Sequence, residues 1–275
     1  MTIKNNKLLT GMITAGLFLT PNAFAEEDAE AIAKKLANPI ANMISLPLQL
    51  NYDSDMGETD KGSKYTLNVQ PVIPISMNDE WNLITRTIMP IVWQSDTAVD
   101  ASRSSGLTGS QSGMGNITFT AWASPKEPTE SGWIWGVGPV VLLPTASDDL
   151  IGGEQWGLGP TAIVLKQDGH FTYGGLANHI WSVAQDTGAP ISSTFIQPFF
   201  VYGDNGISYT LNSESTYDWE REEWSIPVNA FVSKVMKWGN QMVQVGGGVR
   251  YWASSTETGP EGWGARLQLT FVFPK

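Results

Sequence analysis

Lys64-Tyr65-Thr66-Leu67-Asn68-Val69-Gln70-Pro71-Val72-Ile73-Pro74-Ile75-Ser76-Met77 is the stretch whose reading decides the fold. Its odd positions are apolar throughout. Its even positions are mostly polar, with Lys64, Thr66, Asn68, Gln70 and Ser76 among them. Successive side chains leave a strand on opposite sides, so this alternation describes a strand with one greasy and one wet face. The pattern returns in 207–219, where Ile207, Tyr209, Leu211, Tyr217 and Trp219 oppose Ser208, Thr210, Asn212, Glu214 and Thr216. It returns again in 263–273, where Trp263, Leu267, Leu269, Phe271 and Phe273 oppose Gly264, Arg266, Gln268 and Thr270. Working outward from these, strands are expected at 44–53, 62–77, 81–96, 113–124, 132–144, 156–166, 170–186, 190–203, 206–219, 223–236, 240–254 and 260–273. The runs 132–144 and 170–186 carry apolar residues on both faces, so alternation alone does not fix their parity.

The connections separate a barrel from a sandwich. Asn78-Asp79-Glu80, 125–131, Gln167-Asp168-Gly169, Asp204-Asn205-Gly206 and 237–239 are mostly tight and carry turn residues. The alternate connections, 54–61, 97–112, 145–155 and 255–259, are mostly longer. Short turns at one end, longer loops at the other and an even strand count are the pattern of a transmembrane β-barrel. Tryptophan placement agrees. Trp81, Trp133, Trp156, Trp224 and Trp263 stand at strand starts, and Trp93, Trp122, Trp181, Trp219, Trp238 and Trp252 near strand ends. Indole rings favour the headgroup level, so these tryptophans are expected to form belts.

The N-terminal 25 residues read as a secretory signal peptide. Lys4 and Lys7 precede an apolar run from Leu8 to Leu19, and Ala23-Phe24-Ala25 is a small-x-small cleavage site. Residues 26–43 show the one helical period, through Ile32, Leu36, Ile40 and Met43, and are expected to form a periplasmic or plug helix that Pro39 kinks or ends. Residues 44–275 are expected to be the outer-membrane barrel. The strand alternation runs to Phe273, with Pro274 and Lys275 after it, so the usual terminal aromatic of barrel proteins is displaced by two residues.

Composition narrows the function. The 275 residues carry a formal charge of −11 and no Cys. An acidic chain without a basic block is not expected to bind nucleic acid. The absence of Cys excludes a disulfide scaffold, a thiolate metal site and a Cys nucleophile. With His170 and His179 the only histidines, neither a metal nor a cofactor is expected. Asp53, Asp55, Glu58, Asp60, Asp148, Asp149, Glu154, Asp218, Glu220, Glu222 and Glu223 collect in or beside the outer connections. Solvation of loops accounts for them more simply than a rim of divalent cations bridging lipopolysaccharide phosphates.

Several stretches are familiar when taken together. They include Ile44-Ser-Leu-Pro-Leu-Gln-Leu-Asn-Tyr52, Leu67-Asn-Val-Gln-Pro-Val-Ile-Pro74, Gly132-Trp-Ile-Trp-Gly-Val-Gly-Pro139 and Asn178-His-Ile-Trp-Ser182. Arg250-Tyr-Trp252 and Gly259-Pro-Glu-Gly-Trp-Gly264 belong with them. Across almost the whole chain after residue 25 it resembles the bacterial outer-membrane transporter-like family related to MetA-pathway phenol-degradation proteins, whose members are often mislabelled neuromedin U. The resemblance implies a barrel and a presumed transport role, and brings no catalytic or binding residues with it.

The polar parity supplies candidate lumen-lining residues: Arg86, Arg250, Arg266, Glu214, Asn68, Gln70, Asn212, Gln244 and Gln268, with Asn82, Gln197 and Asn229 beside them. An Arg on the lipid face costs about 2–4 kcal/mol at mid-membrane, so the arginines are expected inside. There they act either as a selectivity ladder for a polar or anionic solute or as braces of the wall. The expected function is a channel or transporter for a small solute, aromatic or otherwise poorly polar, in the cell outer membrane. The alternative is a non-conducting structural or adhesive barrel. A lipid hydrolase is disfavoured because His179 and Ser182, three apart on one strand, point to opposite faces, and no Gly-x-Ser-x-Gly elbow is present. The chain is therefore read as no enzyme. Its expected partners are outer-membrane lipid and lipopolysaccharide, the barrel assembly machinery and the solute.

Overall fold

The structure is a computed structural model that describes residues 23–99, 102, 105–183 and 190–273. The alternating runs become twelve barrel strands: β1 (Ile44–Met56), β2 (Gly62–Val69 with Val72–Ser76), β3 (Trp81–Ser95) and β4 (Ser110–Met114 with Ile117–Pro125). They continue as β5 (Trp133–Leu143), β6 (Gly157–Asp168), β7 (Phe171–Ser182) and β8 (Ser192–Asp204). The last four are β9 (Ile207–Ser213 with Ser215–Asp218), β10 (Glu223–Trp238), β11 (Gln241–Ser254) and β12 (Gly262–Phe273). Each strand pairs antiparallel with the next. β12 then pairs with β1, from Ile44 opposite Phe273 to Tyr52 opposite Ala265. Closure satisfies the backbone without leaving an edge, which is the condition for strands to sit in hydrocarbon. The fold is a closed twelve-strand antiparallel barrel with one short N-terminal helix.

The strands in two pieces have local causes. Pro227 has no N–H to give, and β9 is interrupted opposite it at Glu214, whose own N–H still donates to the Pro227 carbonyl at 3.3 Å. Pro71 interrupts β2 in the same way, and the register against β1 is unchanged on either side. β4 instead carries an inserted residue. Its register against β3 shifts by one between the Ile91–Met114 and Ile88–Thr118 pairs, which makes a bulge at Gly115-Asn116. At the short-turn end, Asn205 and Gly206 have φ of 50° and 72°, the left-handed pair that a two-residue hairpin requires.

The faces are those of a membrane barrel. Leu211 and Leu267 point outward and are 52% and 61% exposed, whereas Ser208, Asn229 and Thr270 are buried inside. Outward aromatic pairs mark both ends. Tyr52–Tyr65 and Tyr251–Trp263, with centroids 4.7 Å and 4.9 Å apart, lie toward the long loops. Trp81–Trp135 and Trp133–Tyr173 lie toward the short turns, at 5.8 Å and 6.1 Å. Two tryptophans leave the expected belts. Trp122 is buried inside, its indole N–H donating to Thr161 Oγ1 at 3.2 Å. Trp252 also turns inward, where its N–H finds Asp53. A strand-end position therefore does not by itself make a girdle residue, because parity decides which way the ring points.

The helix α1 spans Ala23–Leu36 and ends earlier than the periodicity implied. The Ala37 N–H closes the last turn on the Ala33 carbonyl, and the Asn38 side-chain oxygen accepts from the Ile40 N–H at 3.0 Å. Pro39 disfavours helical geometry at Asn38, which accounts for the stop. The helix lies at the short-turn end. Ala29, Ala33, Ile32 and Leu36 pack on Val235 and Met242, and the Lys34 carbonyl accepts from Gln167 Nε2 at 2.8 Å. The chain then runs into the barrel, burying Ile40 against Ile84, Trp122, Ile163, Leu165 and Leu176. Most of the expected leader, 1–25, and the terminal Pro274-Lys275 lie outside the described residues. Among the described residues no helix is long and apolar enough to cross a membrane.

Candidate lumen site

Every polar candidate sits on the inward parity of its strand, and the arginines find different partners. Arg266 on β12 is 1% exposed. Its Nη1 and Nη2 donate to the two carboxylate oxygens of Glu214 on β9 at 2.9 Å and 2.7 Å, and its Nε donates to Asn51 at 2.8 Å. The bond passes over β10 and β11. β11 presents Gly246 and Gly248 to the interior there, so no side chain of that strand stands in the way. Gly248 is also required by its strand neighbour, because a Cβ there would fall 2.2 Å from the Ala230 carbonyl oxygen. The Gly246-Gly247-Gly248 run thus allows close approach and clears a path for the Arg266 side chain.

Arg250 on β11 lies one layer nearer the long loops. Its Nε is 3.5 Å from Asp53 Oδ1, and its guanidinium rests 4.5 Å from the Trp252 ring centroid. Asp53 also accepts from Trp252 Nε1 at 2.8 Å. Asp53 was expected in the acidic rim, but the odd parity of β1 turns it inward, and it is buried. Lys64, opposite Asp53 on β2, faces the same layer.

Arg86 on β3 donates to Gln70 on β2, and the Gln70 amide meets the Gln49 amide at 3.0 Å. Asn68 approaches Gln49 at 3.5 Å. Asn212 accepts from Asn229 Nδ2 at 2.8 Å, and Gln268 donates to Thr270 at 3.2 Å. Gln197 and Gln244 line the same space, and Asn82 is buried on the inward face of β3. Lys64, Arg86, Arg250 and Arg266 together face Asp53 and Glu214. The interior is therefore biased positive within a chain of charge −11.

The other half of the interior holds the apolar side chains, set among Thr120, Ser124, Thr161 and Thr172. Trp122, Ile163, Leu165 and Leu176, from β4, β6 and β7, form one buried cluster with Ile134, Phe195 and Phe199 packed against it. This explains why alternation fades in 132–144 and 170–186, where lumen and lipid faces are both greasy. Between the two halves lies a cavity of about 1170 Å³, counting space open to solvent, bounded below by residues 35–43. A smaller one, of about 640 Å³, continues from it past Arg86 toward Trp122 and Asn178.

The histidines stand apart from this interior. His179 faces outward on β7, with Nδ1 2.7 Å from Thr194 Oγ1, while Ser182 Oγ accepts from the Ile191 N–H. His170 sits at a turn against the Gly203 carbonyl. Among the described residues no three His, Asp or Glu gather as metal ligands.

The chain is similar to the crystal structure of the COG4313 outer membrane channel from Pseudomonas putida F1, with a TM-score of 0.64 and 16% identity. That match covers 84% of this chain and 96% of the other. The fold is that of an outer-membrane β-barrel. The outer membrane protein OmpT of Vibrio cholerae (trimer form) also matches, at TM-score 0.37 and 8% identity over 84% of this chain and 98% of that one. So does a bacterial polysaccharide outer membrane secretin, at TM-score 0.33 and 11% identity over 84% and 99%. No family model and no curated protein matches the chain. The expectation that the barrel is no enzyme is corrected at this point. The solved structures, all under 25% identical, show the fold alone and support neither an enzymatic nor a non-enzymatic assignment.

Proposed function

We propose that this barrel is an outer-membrane channel or transporter for a small solute, reached after export and removal of residues 1–25. The observation that carries the reading is the cavity between the cationic and apolar halves of the interior, lined by Gln49, Arg86, Thr210 and Gln268. A barrel whose interior served packing alone would be filled by side chains, as the eight-strand barrels are. In this reading residues 26–43 act as a plug that narrows the short-turn mouth. The family resemblance favours an aromatic or otherwise poorly polar solute. Lipopolysaccharide would surround the long-loop end, and the barrel assembly machinery would insert the chain.

Recording from the purified full chain in a planar bilayer tests this. Discrete conductance steps are expected, with a reversal potential in a KCl gradient displaced toward anions. Arg86→Gln should reduce that displacement without changing assembly, because Arg86 has no carboxylate to leave unpaired. Its charge acts most strongly where the lumen is narrow and the effective dielectric low. A folded barrel that leaves the bilayer silent would favour a non-conducting structural barrel, for which the plug position of residues 35–43 is the supporting observation.

A further inference from the structure

Arg266 and Arg250 are held by carboxylates, but Arg86 is not. Among the described residues no Asp or Glu lies within ion-pair distance of its guanidinium, and its hydrogen-bond partner is the neutral amide of Gln70. Arg86 borders both cavities of the interior, at the place where they meet. Glu214 borders them too, but both its oxygens are hydrogen-bonded to Arg266, so it acts on Arg86 only at longer range. Leu176, from the apolar half, lines the same two cavities, with Phe199 in the larger and Phe195 in the smaller.

A cation without a paired carboxylate in a confined space favours an anion, and a guanidinium favours the planar two-oxygen geometry of a carboxylate. An apolar wall beside it favours a hydrocarbon or aromatic body over water. We infer that the meeting point of the two cavities is a binding site for an amphiphilic organic carboxylate, its head on Arg86 and its body against Leu176, Phe195 and Phe199. This rests on the channel reading for its biological use, but binding itself can be measured without transport. Two chemistries are needed together. Acetate offers the head without the body, and benzamide the body without the charge.

Calorimetry on the full chain, folded in detergent, tests the site with benzoate, benzamide and acetate as probes. Benzoate is expected to bind at least about tenfold more tightly than either of the others, the loss that goes with one missing charge-assisted bond or one uncovered ring. Arg86→Gln should weaken benzoate by about tenfold or more and leave benzamide unchanged. Arg86→Lys, which keeps the charge but not the fork, should fall between. Leu176→Asn should weaken benzoate without restoring acetate. Unheated gel mobility shows that each variant is a folded barrel, and the Lys variant serves if the Gln variant is not. Equal binding of benzoate and benzamide, or benzoate binding indifferent to Arg86, overturns the inference. Conductance on the same preparation separates the two readings. Conduction without benzoate binding sinks the site and spares the channel, whereas benzoate binding without conduction does the reverse.

Discussion

Glu214→Ala is expected to destabilise the barrel by about 3–5 kcal/mol, because it leaves a buried guanidinium without its counter-charge. The bidentate contact at 2.9 Å and 2.7 Å links β9 to β12 across two intervening strands, so its loss also removes a tie across the interior. The heat needed to convert the fast-migrating folded form to the slow unfolded one should fall. Replacing the pair together, Glu214→Leu with Arg266→Met, should recover most of the loss, since neither charge of the pair is then left buried without its partner. A single Glu214→Ala variant as heat-resistant as the parent would show that the pair contributes no bracing.

The second large effect lies on the other face. Leu211→Arg and Leu267→Arg each place a charge in hydrocarbon at about 2–4 kcal/mol near the bilayer midplane. Both should reduce the yield of folded, heat-modifiable barrel in lipid vesicles. Thr210→Arg and Gln268→Arg, one residue away in each case, point into the cavity and should fold at near-parental yield. Equal damage from both pairs would contradict the assignment of faces.

The architecture was legible because a membrane barrel writes its two solvents into alternate residues. Where the lumen is polar, as along β2, β9 and β12, parity read from residues 64–77, 207–219 and 263–273 places Asn68, Gln70, Asn212, Glu214, Arg266 and Gln268 on the inward face. Where the lumen is itself apolar, along β5 and β7, the two faces carry the same chemistry and alternation has nothing to report. Trp122 on β4 is a different case: its strand-end position suggests a belt, but its parity, shared with Thr118, Thr120 and Ser124, turns it into the lumen. Partner choice was also beyond the pattern. That Arg86 on β3, Arg250 on β11 and Arg266 on β12 share one arc follows from strand order once β12 pairs with β1. That Glu214 would take Arg266, that Asp53 would leave the rim for Arg250, and that Arg86 would be left with an amide depend on side-chain reach across the interior. The glycines at 246 and 248 carry a trace of that reach, because they leave β11 bare where Arg266 passes.

The central claim is that a polar, solute-accessible interior lies behind an apolar wall, and thiol labelling tests it most directly. The chain has no Cys, so an introduced one is the only thiol present. Single cysteines at Ser208, Thr210 and Gln268, and at Tyr209, Leu211 and Leu267, would be exposed in reconstituted vesicles to a charged, membrane-impermeant thiol reagent. The account predicts labelling at the first three, which border the cavity, and protection by lipid at the second three. Labelling that ignores parity, or that favours Leu211 and Leu267 over Thr210 and Gln268, would contradict it.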